Sequence, residues 1–136
     1  MRRVTTNVDR VREMLALAGE MRVDELITYF ADDVLMELPY APGKMTKRYA
    51  GKADAFEFQK FARDSFSTFS MTVDAVYETT DPQIVIAEAR SDAVVTDNGR
   101  PYQNTYVFFF TFDADGKVVQ WREYYDPGVV VRAFRP

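Results

Sequence analysis

The spacing of apolar residues along this chain changes once, from a helical period in the first half to a strand period in the second. Val8, Val11, Met14, Leu15 and Ala18 recur every three or four positions and predict an amphipathic helix. Thr6 or Asn7 can cap it, and Gly19 can stop it. Val23, Leu26, Ile27 and Phe30 fall at i, i+3, i+4 and i+7, one face of a second short helix. Ala31 to Leu38 reads as a short strand ending at Pro39. Pro39, Pro42, Gly43 and Gly51 then mark a loop over residues 39 to 51, whose Tyr40 and Tyr49 are candidates to close over a ligand. Ala55, Phe58, Ala62 and Phe66 lie along one stripe of a third helix, from Lys52 to about Phe66.

From Phe69 onward the pattern is sheet. Strands are predicted at Phe69–Glu78, Gln83–Thr96, Tyr102–Phe112 and Lys117–Tyr125. They are separated by Thr79-Thr80-Asp81-Pro82, by Asp97-Asn98-Gly99 and by the turn from Asp113 to Gly116. Asp126-Pro127 starts a short terminal helix, with Pro in the first turn. Helices followed by a meander define an α+β chain, with the N-terminal helices packed on a curved antiparallel sheet. Such a sheet, covered by a long helix, forms a cone with an apolar interior, a natural small-molecule site.

Composition narrows the chemistry. The 136 residues read as one domain over 1–136. They are 47% hydrophobic and include 11 Phe and 8 Tyr, enough for a core and an apolar cavity together. There is no Cys and no His, so thiolate chemistry, the commonest general base and the commonest metal ligand are all missing. No metal and no cofactor is therefore expected. The net charge of −4 comes without a basic stripe, which argues against nucleic acid. Arg2 and Arg3 are not followed by an apolar run, so no signal peptide is read. No stretch approaches the roughly 20 apolar residues of a membrane span. A cytoplasmic protein is expected.

Carboxylates must then carry any acid–base work. Strand parity puts Val119, Trp121, Glu123 and Tyr125 on one face. An inward Glu123 among aromatics has a raised pKa and suits a general base; alternatively Glu123 pairs with an Arg such as Arg90 or Arg122. Asp126 is either the cap of the last helix or a second acid, and only a bulge could turn both acids inward. Asn104, Tyr106, Phe108 and Phe110 share a face of the preceding strand. Tyr106 is either a core aromatic or a donor to a developing oxyanion. Asn104 either touches a ligand or satisfies backbone. Thr105, Val107, Phe109 and Thr111 on the other face, apolar in part, suggest a second cover and a homodimer. Glu88, Arg90 and Asp92 share a face and suggest cross-strand pairing.

The order of elements resembles the nuclear transport factor 2-like superfamily, which includes ketosteroid isomerases and SnoaL-like polyketide cyclases. Within it, Tyr77-Glu78-Thr79-Thr80-Asp81-Pro82, Tyr102-Gln103-Asn104, Asp115-Gly116-Lys117-Val118 and Arg122-Glu123-Tyr124 resemble the phenazine biosynthesis A/B proteins. That resemblance implies a cone-shaped, cystatin-like fold and a cavity acid at Glu123. The family's His on the long helix corresponds to Phe58, so half of the implied acid–base pair is absent. The SnoaL-like cyclases imply an acid at Asp126. The implied function is small-molecule binding, with cofactor-free isomerase or cyclase chemistry on an apolar carbonyl compound. Glu123 and Asp126 are the catalytic candidates, and Tyr106, Trp121, Asn104, Phe58 and Tyr40 the substrate-binding ones. The alternative is a non-catalytic ligand-binding or dimerisation module of the same fold.

Overall fold

The computed structural model describes residues 6–136, so Arg2 and Arg3 lie outside the described residues. Helix α1 spans Asn7–Gly19, with the Thr6 hydroxyl accepting from the Asp9 N–H as its cap. Helix α2, Val23–Leu26, runs into a 3-10 turn at Ile27–Tyr29 and then into strand β1, Phe30–Glu37. Strand β2 is Arg48–Ala50 and helix α3 is Lys52–Ser65. The remaining strands are β3 at Phe66–Glu78, β4 at Ile84–Val95, β5 at Pro101–Tyr102, β6 at Thr105–Phe112 and β7 at Val118–Tyr125. Helix α4, Pro127–Phe134, ends the described chain.

The sheet runs β2-β1-β7-β6-β4-β3, with β5 added beside β4. The meander β3-β4-β6-β7 is antiparallel, as its turns require. The expectation of a wholly antiparallel sheet needs one correction: β1 joins β7 in parallel. The chain between these two strands runs through β2, α3 and the strands β3 to β6, a long connection of the kind a parallel pair demands. Two short elements also depart from the sequence reading. The loop at 39–51 contains β2, and the run expected at Tyr102–Phe112 is broken at Gln103-Asn104 into β5 and β6. Strand β3 starts at Phe66, three residues earlier than read.

Alternation builds the concave face. Phe108, Phe110 and Phe112 of β6 are buried, as are Val85, Ala87, Ala89, Ala93 and Val95 of β4. Tyr106, Phe108 and Phe110 stack in a row at 5.6 Å spacings. Trp121 packs edge-on against Phe110 at 5.0 Å and Phe108 at 5.8 Å. The apolar stripe of α1, with Val11, Met14 and Leu15 fully enclosed, packs on the same face. Burial of each such side chain contributes about 1.5–3 kcal/mol. At the β6–β7 turn Asp113 accepts from the Asp115 and Lys117 N–H groups, and Gly116 takes φ +78°. Just beyond it the register breaks between Thr111 and Phe112, a bulge that buries Val118 and leaves Val119 half-buried. The inward set on β7 is therefore Val118, Trp121 and Tyr125 together with Glu123; the parity reading at Val119 fails because of the bulge.

The outer face pairs its charges. Arg90 makes a bidentate bridge to Asp74 on β3, and the Tyr77 hydroxyl donates to Glu88 at 2.6 Å. Gln103 donates to Asp92 at 3.2 Å. Arg122 lies on this face, its guanidinium 4.9 Å from the Phe109 ring and 5.9 Å from the Tyr124 ring.

Candidate active site

The interior of the cone is not filled. A cavity of about 140 Å³ lies between the concave face of the sheet and helices α1, α3 and α4. Leu15, Leu26, Phe58, Phe66, Phe69 and Val130 make its wall largely apolar. Met45, Phe61 and Phe134 also line it and are exposed, so they form its rim. From the sheet side come Trp121, Glu123 and Tyr125 of β7, Tyr106 and Phe108 of β6, and Tyr102 of β5.

Among the described residues Glu123 is the only carboxylate lining the cavity. Its Oε1 accepts from the Trp121 indole N–H at 3.0 Å, and Oε2 has no protein partner among the described residues. The two cations named as alternative partners lie elsewhere: Arg90 is bound to Asp74, and Arg122 is over Phe109 on the opposite face. Glu123 is half-buried and lines the cavity. Burial accordingly pushes its pKa up to about 7, only partly opposed by the Trp121 hydrogen bond.

Beside it runs a chain of hydroxyls. The Tyr106 hydroxyl donates to Tyr102 Oη at 3.1 Å and meets Ser91 Oγ at 2.9 Å. Ser91 Oγ accepts the Asn104 backbone N–H at 3.2 Å, and Asn104 Nδ2 donates to Tyr102 Oη at 3.0 Å. A tyrosine oxygen has two lone pairs and one proton. Both lone pairs of Tyr102 are taken, by Tyr106 and Asn104, so its own proton is the one left for a group in the cavity. Burial raises the Tyr102 pKa to about 12, which keeps that proton in place at neutral pH. Burial also raises Tyr106 and Tyr125.

The structure brings together Glu123, Trp121, Tyr106 and Phe58 of the residues singled out from sequence, and leaves three outside. Asp126 is exposed and caps α4 by accepting from the Gly128 N–H at 2.9 Å; no bulge turns it inward, so it is not a second cavity acid. Asn104 is buried but does not line the cavity: its Oδ1 accepts from the Thr105 and Asp126 N–H groups, and its Nδ2 donates to Tyr102 and the Asp126 carbonyl. Tyr40 sits on the outer face against Tyr124, at 5.1 Å, because the chain after β1 turns to that side. Tyr49 packs on Phe58 at 4.8 Å.

Two site residues escaped the sequence reading. Tyr102, not Tyr106, holds the free donor. Gln59 of α3 is 8% exposed and lines the cavity. It stands four residues after Ala55 and three before Ala62, on the very stripe that marks the helix, and a polar residue at that spacing was the available signal.

A SnoaL-like domain profile matches residues 11–121, and the chain belongs to that family. It is 31% identical to the uncharacterised protein YesE of Bacillus subtilis over 93% of this chain and 85% of that one. It is 26% identical to an uncharacterised PhzA/B-like protein of Pseudomonas aeruginosa, over 72% of this chain and 68% of that one. The crystal structure of a "Putative Isomerase" from Bacillus subtilis superposes with a TM-score of 0.81 at 30% identity, covering 93% of this chain and 90% of that one. Solved nuclear transport factor 2-like proteins share the architecture, so the α+β fold is of that type.

Proposed function

We propose that this SnoaL-like chain is a cofactor-independent enzyme that moves a proton at carbon next to a carbonyl, in a small, largely apolar substrate. Glu123 takes the proton, the C–H electron pair becomes the enolate, and Tyr102 donates to the developing oxyanion. Return of the proton from Glu123 to another carbon of the conjugated system gives the isomer and restores the carboxylate. The carrying observation is the Glu123 carboxylate, set among aromatics with no cationic partner among the described residues and one oxygen without a protein hydrogen bond. A structural carboxylate in that position would be left without compensation for its burial. A pKa near neutrality suits a general base, and the hydroxyl chain through Tyr106 and Ser91 orients the donor. The likeness to a protein called an isomerase supports the same reaction class.

The test is exchange of α-hydrogens of cyclic ketones with deuterated water. Exchange is expected with the native chain and absent in Glu123→Gln. Binding with equal exchange in both proteins would reject the base assignment and favour the non-catalytic module. A homodimer through the outer face is part of this proposal. Val107, Phe109 and Tyr124 are half-buried there, and the Arg122 Nε is buried without a partner among the described residues. Sedimentation showing only monomer at micromolar concentration would overturn the dimer.

A further inference from the structure

Gln59 has no part in the proposed proton transfer and makes no hydrogen bond to nitrogen or oxygen among the described residues. Its Nε2 meets only Met36 Sδ, at 3.8 Å, and sulfur is a weak acceptor. Its Oε1 has no protein partner among the described residues and is not sealed in protein, since Gln59 lines the cavity. A leucine or methionine would close that wall without stranding an amide. The other polar groups on the helical side are engaged at the rim: the Ser65 hydroxyl donates to the Phe61 carbonyl at 2.8 Å, and Arg63 Nε donates to Asp64 at 3.2 Å. The cavity thus offers unfilled polar groups on two walls, Tyr102, Tyr125 and Glu123 on the sheet wall and Gln59 on the helix wall.

Size sets a further limit. A cavity of about 150 Å³ accommodates benzene, and this one is about 140 Å³. Among the described residues Arg63 is the one cation lining it, and that side chain is 38% exposed and bridged to Asp64, so an anion beside Glu123 would be uncompensated.

We infer that the substrate is an uncharged, single-ring compound with two polar ends, its carbonyl held by Tyr102 beside Glu123 and a hydroxyl or second carbonyl held by Gln59. The assignment of the carbonyl end rests on the proton-transfer reading above; the role of Gln59 as the specificity-determining residue does not. A fused four-ring ketone would leave most of its body outside the Met45, Phe61 and Phe134 rim.

Trp121 is the only tryptophan and lines the cavity, so its emission reports occupancy. Cyclohexanone, 4-hydroxycyclohexanone and progesterone are titrated against the native chain, Gln59→Leu and Gln59→Met, with calorimetry as a check. The native chain is expected to prefer 4-hydroxycyclohexanone over cyclohexanone by about tenfold, one hydrogen bond's worth. In both variants the preference falls to about one, while cyclohexanone affinity stays within about twofold. A preference that persists in folded Gln59→Leu or Gln59→Met, no preference in the native chain, or progesterone binding as tightly as the single rings would overturn the inference. Deuterium exchange is followed in the same samples. A collapsed preference without exchange supports the Gln59 role and defeats the base reading; exchange without any preference does the opposite.

Discussion

On the outer face of the sheet Asp74 accepts from Arg90 at 3.0 and 3.1 Å, and Glu88 accepts the Tyr77 hydroxyl at 2.6 Å. On the inner face, two strands along, Glu123 accepts only the Trp121 indole, at 3.0 Å. The outer carboxylates are also open to water, and the Arg90 guanidinium holds Asp74 below its ordinary value. Glu123 is half-buried and has no cationic partner among the described residues, and burial raises its pKa. One sheet thus holds carboxylates whose charge is stabilised and one whose charge is destabilised. The second kind is the one that can exchange a proton near neutral pH.

Phe110 is fully buried against Trp121 on the inner face, and Phe110→Ala is expected to cost about 3–5 kcal/mol in a denaturant titration. Thr105→Ala, on the outer face of the same strand, is expected to stay within about 0.5 kcal/mol. Equal losses would mean that the inner face is not the core that shapes the site.

Tyr102→Phe removes the donor with the free proton and is expected to lower the exchange rate constant about 10²–10³-fold, the usual cost of an oxyanion donor. Tyr106→Phe leaves that donor in place and should cost less. The reverse order would move the oxyanion site to Tyr106.

Charge comes third. The native state holds a proton on Glu123 that the unfolded chain releases once pH exceeds the ordinary 4.5. The associated stability is full below that pH and is lost as pH rises through about 7. A separation from 4.5 to about 7 corresponds to at most ~3 kcal/mol. Glu123→Gln should therefore melt with the native chain at pH 4 and above it at pH 8. A variant less stable than the native chain at pH 8 would point to a structural ion pair. The smallest effect belongs to the outer face: Arg90→Ala should leave the melting temperature within the error of a scan at either pH, because its bridge to Asp74 is solvated.

The sequence made legible what local periodicity controls. The three helical stripes, the meander and the inward parity of Trp121, Glu123 and Tyr125 all follow from side-chain alternation. The parallel seating of β1 on β7 was not legible, because it joins strands far apart in the chain. Strand β2 has three residues, too few for any period to show. Val119 was misplaced because a bulge has no signature in an apolar pair such as Val118-Val119. Asp126 was ambiguous until the cap to Gly128 settled its direction. Tyr102 looked like a strand end, and only the hydrogen-bond accounting through Asn104, Tyr106 and Ser91 singles out its proton.

The titration of Glu123 itself bears most directly on the contrast between the two faces. Carbon-13 NMR of protein labelled at glutamate carboxyls, with Glu123→Gln identifying the resonance, follows this one group through pH. A midpoint of about 7 is expected for Glu123. A midpoint near the ordinary 4.5 would show that water or a cation reaches the carboxylate, and would contradict its role as the base.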